Sequence, residues 1–189
     1  MSDFSEIKKS LLKIYPFTDE QLELFANKLR YKKLVKNDLI LKEQQLSDKL
    51  IFVLSGSLRF YVQKEYNELT LNFVTEHFWF ADIESLLIQK PSENRIEAAE
   101  DSNIATISMI DMHTLMDLHS CFRMLYGLLA NLSISSRYID TITNKNPDER
   151  YRELLVSRPD WIIRFPQKQI ASFLKMTPET LSRVRARIK

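Results

Sequence analysis

Two glycines, Gly56 and Gly127, serve a chain of 189 residues, where average usage of about 7% would supply about thirteen. The deficit acts first on what the chain can bind. A G-x-G-x-x-G dinucleotide loop and a G-x-x-x-x-G-K phosphate loop both need glycine backbone to approach a pyrophosphate, and neither can be written anywhere in this sequence. Nucleotide folds built on those loops are therefore disfavoured.

The remaining composition, 44% hydrophobic and 28% charged, is that of a folded chain with room for one large domain or two small ones. Cys121 is the sole cysteine, which excludes an intrachain disulfide, a Cys-rich zinc site and a four-thiolate cluster. The opening MSDFSEIKKSLLKIY lacks the apolar stretch of a signal peptide, and nowhere do about eighteen apolar residues run together. The expectation is a cytoplasmic protein with no membrane partner.

Charge divides the chain. Residues 144–189 carry eleven Lys and Arg against five Asp and Glu, a net +6, which leaves −4 for the first 143 residues. Opposite signs suggest a basic module with a polyanionic partner joined to an acidic module with another task.

The apolar periods divide it similarly. Phe4, Ile7, Leu11, Leu12 and Ile14 share a helical face that Ser2 or Asp3 can cap, and Thr18–Gln21 forms a T-x-x-Q capping box ahead of Leu22, Phe25 and Leu29. From Lys33 to Met109 the pattern changes to short branched and aromatic runs: 38–41, 50–54, 58–62, 69–74, 96–99 and 104–108. Hairpin-length polar segments such as Ser55-Gly56-Ser57 separate them, predicting an antiparallel barrel or sandwich. Helical spacing resumes with Leu115, Leu118, Phe122, Leu125, Leu129, Leu132, Ser136 and Ile139, three and four apart. Such a helix either lies wholly on its own barrel or pairs in part with a second subunit. Pairing is the expectation, because a long helix gains little stability unless its stripe is buried. Asn144-Lys145-Asn146-Pro147 ends it, since proline cannot continue the ladder.

The last 25 residues carry the most specific pattern. Pro166 starts a short helix over 167–174 with Ile170, Ala171 and Leu174 inward, and Lys175-Met176 forms a tight turn. Thr177 then caps a second helix with Pro178 at its first position and Leu181, Val184 and Ile188 buried. This is helix-turn-helix spacing. The outward face of the second helix, about 178–188, presents Glu179, Thr180, Ser182, Arg183 and Arg187, with Arg185 toward one edge. Arginine can donate to guanine N7 and O6 and glutamate can accept from cytosine N4; Gln167, Lys168 and Thr177 stand where phosphates would lie. DNA is the expected partner.

Together these segments resemble the Crp/Fnr family of bacterial transcription regulators. The resemblance runs through Asp38-Leu-Ile-Leu-Lys-Glu, Leu50-Ile-Phe-Val-Leu-Ser-Gly-Ser-Leu-Arg59, Asn72-Phe-Val and Asp82-Ile-Glu-Ser-Leu-Leu87. It resumes at Glu149-Arg-Tyr151, Phe165-Pro-Gln-Lys-Gln-Ile-Ala-Ser-Phe-Leu174 and Thr177-Pro-Glu-Thr-Leu-Ser-Arg183. It implies an α+β fold: an antiparallel β-roll (a jelly-roll-like double-stranded β-helix) with flanking helices, a long dimerisation helix, and a C-terminal winged helix-turn-helix. The implied division is 1–113 for a cyclic-nucleotide-binding-like sensor, 114–145 for the dimerisation helix and linker, and 146–189 for DNA binding. The implied function is a homodimeric regulator reading a near-palindromic operator, with Glu179, Ser182 and Arg183 at the family's E-x-x-S-R positions.

The family's effector pocket would fall on Phe80, Ala81, Asp82, Ser92 and Arg95. Glycines usual in that pocket are replaced by Gln44, His77 and Ala81, and the glycine of the helix-turn-helix turn by Lys175. The arginine that holds a cyclic phosphate aligns near Ser92 or Glu93, with Arg95 out of register, and Asp82 stands where a ribose-binding glutamate is usual. A cyclic nucleotide is therefore not the expected effector, and the effector is left unnamed.

No cofactor or metal is expected. An iron–sulfur sensor of the Fnr type needs several cysteines. His77, His113 and His119 match no metal spacing, the methionines 109, 112, 116 and 124 suit a core or helix interface, and Phe78-Trp79-Phe80 suits a core. No Ser or Cys sits in a nucleophile elbow, so an enzyme is not expected. The sequence stops at Lys189, directly after the recognition helix and before a β-wing. That keeps a second expectation open: a β-roll sensor or interaction module whose helix-turn-helix has lost DNA binding.

Overall fold

A computed structural model describes residues 4–132 and 145–188. Helices α1 (Phe4–Leu12) and α2 (Asp19–Ala26) come first; Ser2 and Asp3, the expected caps of α1, lie outside the described residues. Thr18 starts α2 as its spacing predicts: its hydroxyl accepts from the Gln21 amide, and the Gln21 side chain accepts from the Thr18 amide, satisfying donors that a first turn leaves unpaired. Ile7, Leu11, Leu22 and Phe25 are buried, whereas Leu12 is largely exposed.

Eight strands follow: β1 (Arg30–Leu34), β2 (Leu39–Leu41), β3 (Lys49–Ser55), β4 (Leu58–Gln63), β5 (Glu68–Val74), β6 (Trp79–Phe80), β7 (Asn94–Ala98) and β8 (Ser102–Ser108). They form two antiparallel sheets, ordered β1-β8-β3-β6 and β2-β7-β4-β5. Strand β1 escapes a reading by apolar runs because four of its five residues are exposed and only Leu34 is buried. Helix α3 (Ile83–Ile88) follows β6, with the Asp82 side chain accepting from the Ser85 amide at its start.

The sheets stack into layers. Leu50, Phe52, Ala105 and Ile107 leave one face of the first sheet and join the helices in a single core. Ile51, Val53 and Ile104, alternating with them, meet Leu58, Ile96 and Ala98 inside the roll. Burial on both faces explains why the run from Leu50 to Leu54 is continuously apolar instead of alternating.

The expected single helix from residue 114 is a correction. Helix α4 (Met109–Leu118) ends where His119 takes an extended conformation (φ −143, ψ 122); a 3-10 segment, Ser120–Leu125, follows, and helix α5 covers residues 126–132. Leu115, Phe122, Leu125, Leu128 and Leu129 are all buried against α1, α2 and the roll. Helices α4 and α5, separated by extended His119 and the 3-10 segment, wrap this core more closely than one straight rod. Leu118, placed on the seam by spacing, is 57% exposed. Ser136 and Ile139 lie outside the described residues.

Helices α6 (Pro147–Ser157), α7 (Pro159–Arg164), α8 (Gln167–Phe173) and α9 (Pro178–Arg187) form the C-terminal unit. Asn146 and Glu149 cap α6 reciprocally. The unit is seated on the outer face of the second sheet. Phe73 of β5 stacks on Phe165, with ring centroids 3.9 Å apart, and meets Trp161 edge-on at 5.2 Å; it is buried in the C-terminal core, not in the roll. Ser172 of α8 completes the free edge of β5, its hydroxyl donating to the Glu68 carbonyl (2.7 Å) and accepting from the Thr70 amide (2.9 Å).

Candidate nucleic-acid interface

Helices α8 and α9 and the turn between them take the expected form. Ile170, Ala171 and Leu174 are buried, as are Leu181 and Val184, so the two helices close on each other through small Ala171. The turn is a Schellman motif: the Met176 amide donates to the Ala171 carbonyl and the Lys175 amide to the Ser172 carbonyl, both at 3.0 Å. Lys175 sits at its left-handed position with φ 52, where glycine is usual. Gln44 (φ 63) and His77 (φ 67) are left-handed too, so these glycine replacements keep the glycine backbone. Ala81 is not among the positive-φ residues.

Arg150, on α6, was not singled out from the sequence. Its guanidinium donates to the Leu174 and Lys175 carbonyls at 2.8 and 3.2 Å and to the Lys145 carbonyl at 2.6 Å. It thus ties the turn to α6 by charge-assisted bonds.

Thr177 caps α9, its hydroxyl accepting from the Thr180 amide, and Pro178 occupies the first turn. Glu179, Ser182, Arg183, Arg185 and Arg187 are exposed, as are Thr177, Gln167 and Lys168; Thr180 is half-buried. Glu179, Ser182 and Arg183 share the face opposite the buried residues, as three- and four-residue spacing requires. The Glu179 carboxyl is held below its ordinary range, first by a hydrogen bond from the Thr177 hydroxyl, then by its own amide and the charge of Arg183. It is an ionised acceptor at neutral pH. Arg187 is engaged within the protein, its guanidinium donating to the Asp148 carboxylate of α6. Helix α9 packs on α6 and α8.

A clamp joins this unit to the roll. Arg164 donates to both oxygens of Glu76, at 2.7 and 2.6 Å, and through Nε to Glu100 at 2.8 Å. The Gly56 amide and the Ser57 hydroxyl hold the same two carboxylates from the roll side. Arg164 holds the Glu76 carboxyl below the usual carboxylate range. Single-residue motifs give no sign of this clamp, because Glu76 and Glu100 lie 88 and 64 positions before Arg164.

The residues assigned to an effector pocket divide. Phe80, Ala81, Asp82 and Ser92 are buried together. Asp82 accepts from the Ser92 hydroxyl, from the Asn94 side chain at 3.1 Å and from the Ser85 amide at 3.4 Å. These polar groups therefore satisfy one another. Arg95 turns to the opposite face of β7 from Ile96 and pairs with Glu43 at 3.1 Å. It does not join the pocket. Arg59, 3% exposed on the outer face of the second sheet, is bound instead to Thr70, Glu68 and Glu97. Of the aromatic cluster, Trp79 and Phe80 are core as expected, whereas Phe78 is half exposed and lies under Arg158. His113 and His119 are exposed.

Residues 31–119 match the cyclic nucleotide-binding domain family. FixK2 from Bradyrhizobium japonicum is similar in structure with a TM-score of 0.72 at 15% identity, over 85% of this chain and 84% of that one. A CooA mutant from Carboxydothermus hydrogenoformans gives 0.68 at 16% identity, over 94% and 82%. A protein from Eubacterium rectale assigned to the Crp/Fnr regulators gives 0.67 at 20% identity, over 93% and 87%. No curated protein sequence matches the chain.

Proposed function

We propose that this chain, which carries a domain of the cyclic nucleotide-binding family and has the fold of Crp/Fnr regulators, is a DNA-binding transcription regulator. The observation that carries the reading is the outward face of α9, where Glu179, Ser182 and Arg183 stand exposed above a buried Leu181 and Val184 within a segment of net charge +6. Arg183 and Glu179 would read base edges, while Ser182, Thr177, Gln167 and Lys168 would take phosphates. Arg185 and Thr180 flank that face. Arg187 would have to leave Asp148 before it could contact DNA.

The division of labour follows: the roll as sensor or scaffold, and residues 146–189 as the DNA-reading unit. A homodimer would set two α9 helices about 34 Å apart on a near-palindromic site. Its contacts would have to come from surface other than the stripe from Leu115 to Leu129, which is largely spent on the protein's own core. Among the described residues no helix is long and apolar enough to cross a membrane; a cytoplasmic location fits contact with DNA. The mutual satisfaction of Asp82, Ser92 and Asn94 supports an effector other than a cyclic nucleotide.

The test is fluorescence anisotropy on a library of palindromic DNA sites. Wild type should bind selectively, with affinity falling steeply as salt rises, and Arg183→Ala should lose about 1–3 kcal/mol of discrimination at the base it reads. Unchanged selectivity in Arg183→Ala would remove the base-reading assignment, and a flat salt response would favour a non-DNA-binding module.

A further inference from the structure

A cleft of about 290 Å³ opens between the roll and the C-terminal unit. Its walls come from both: Phe60, Phe78 and Ile83 from one side and Trp161 and Phe173 from the other, with Leu132 of α5 also lining it. At ~20–30 Å³ per non-hydrogen atom, it holds a molecule of about ten to fifteen such atoms.

On the C-terminal side the guanidinium that faces the cleft is that of Arg158. Arg158 lies 5.4 Å from the centroid of Phe78 and 5.6 Å from that of Trp161, so two rings fix its guanidinium, yet it makes no ion pair among the described residues. Trp161 is 5% exposed; among the described residues its indole N–H has no hydrogen-bond partner, and it is closed off from the cleft. Asp82 also lines the cleft, already supplied with donors by Ser92, Asn94 and the Ser85 amide. The lining thus offers a ring-held guanidinium with no ion pair and, in Asp82, a carboxylate that repels a second anion.

We propose that this cleft is a binding site for a small amphipathic monocarboxylate, its carboxylate on Arg158 and its apolar body along the aromatic wall. Guanidinium and carboxylate match in charge and in planar geometry, and the Asp82 carboxylate in the lining selects against a dicarboxylate. Because the walls belong to both units, occupancy favours the seating of α8 and α9 on β5 and so biases how α9 is presented. That consequence rests on the regulator reading above; the binding itself does not.

The experiment is isothermal titration of the full chain, without DNA, with 4-phenylbutyrate, its neutral amide, and suberate as a dicarboxylate. The expected result is saturable binding of 4-phenylbutyrate, at least about tenfold weaker binding of the amide and of suberate, and a loss of about tenfold or more in Arg158→Gln. Arg95→Gln, outside the cleft, should bind as wild type. Circular dichroism melting verifies that each variant is folded. Equal affinity for acid and amide, wild-type affinity in Arg158→Gln, or no heat with about 5 mM 4-phenylbutyrate would overturn the proposal. Since no DNA is present, failure here leaves the Arg183 test unaffected.

Discussion

Replacing Lys175 with glycine should stabilise the protein. Lys175 holds φ 52 at the left-handed position of the Schellman turn, and a side chain with a Cβ in that region costs about 1–2 kcal/mol. Glycine relieves the strain but adds about 0.4–1 kcal/mol of freedom to the unfolded chain. The net gain is about 0.5–1 kcal/mol. The bonds from Arg150 survive the change because they end on the Leu174 and Lys175 carbonyls. Urea unfolding followed by circular dichroism should show a higher midpoint at unchanged slope, and at this chain length a melting temperature raised by about 1–4 °C. Lys175→Ala is the control: it also shortens the side chain but still carries a Cβ into the left-handed region, so it should not gain. If Lys175→Gly proves no more stable than Lys175→Ala, strain at this turn is not what the missing glycine costs.

The two natural glycines should respond oppositely to alanine. Gly56 (φ +84) would set a Cβ 2.6 Å from the Asp101 carbonyl oxygen and 2.7 Å from the Ser102 Cα, so Gly56→Ala should lose about 2–4 kcal/mol; Gly127 meets only the Ile14 side chain at 3.4 Å, and Gly127→Ala in α5 should gain up to about 1 kcal/mol. The same urea midpoints measure both. The Arg164 clamp should make stability pH-dependent. Glu76 has its folded pKa depressed by Arg164, so its contribution, about 1–2 kcal/mol, is present above the ordinary carboxylate pKa and is lost as pH falls through the folded value. Arg164→Gln should narrow the loss of stability between about pH 5 and 3, and parallel curves for the two proteins would count against the clamp. Cyclic AMP and cyclic GMP should leave the melting temperature unchanged, because Asp82, Ser92 and Asn94 bind one another and Arg95 faces outward; a clear rise at micromolar ligand would contradict this.

What the sequence determined by itself is local. The Thr18 and Thr177 caps, the Pro178 start, and the inward places of Ile170, Ala171, Leu181 and Val184 depend on residues within a few positions of one another, and backbone geometry fixes their meaning. The exchange of glycine for Lys175, Gln44 and His77 was equally readable, and the left-handed backbone at all three shows that the fold demands the conformation whichever residue supplies it. Tertiary structure decided the rest. The apolar period of residues 115–132 is compatible with one rod or with two helices bent at His119, and only the shape of the core beneath selects the bend. A strand's alternation says that Phe73 and Arg95 leave a given face, but not what waits there: a packed C-terminal unit for the first and Glu43 for the second. Arg164, Arg158 and Trp161 gain their significance from neighbours far along the chain. Such pairings arise from packing of whole elements, and no local pattern encodes them.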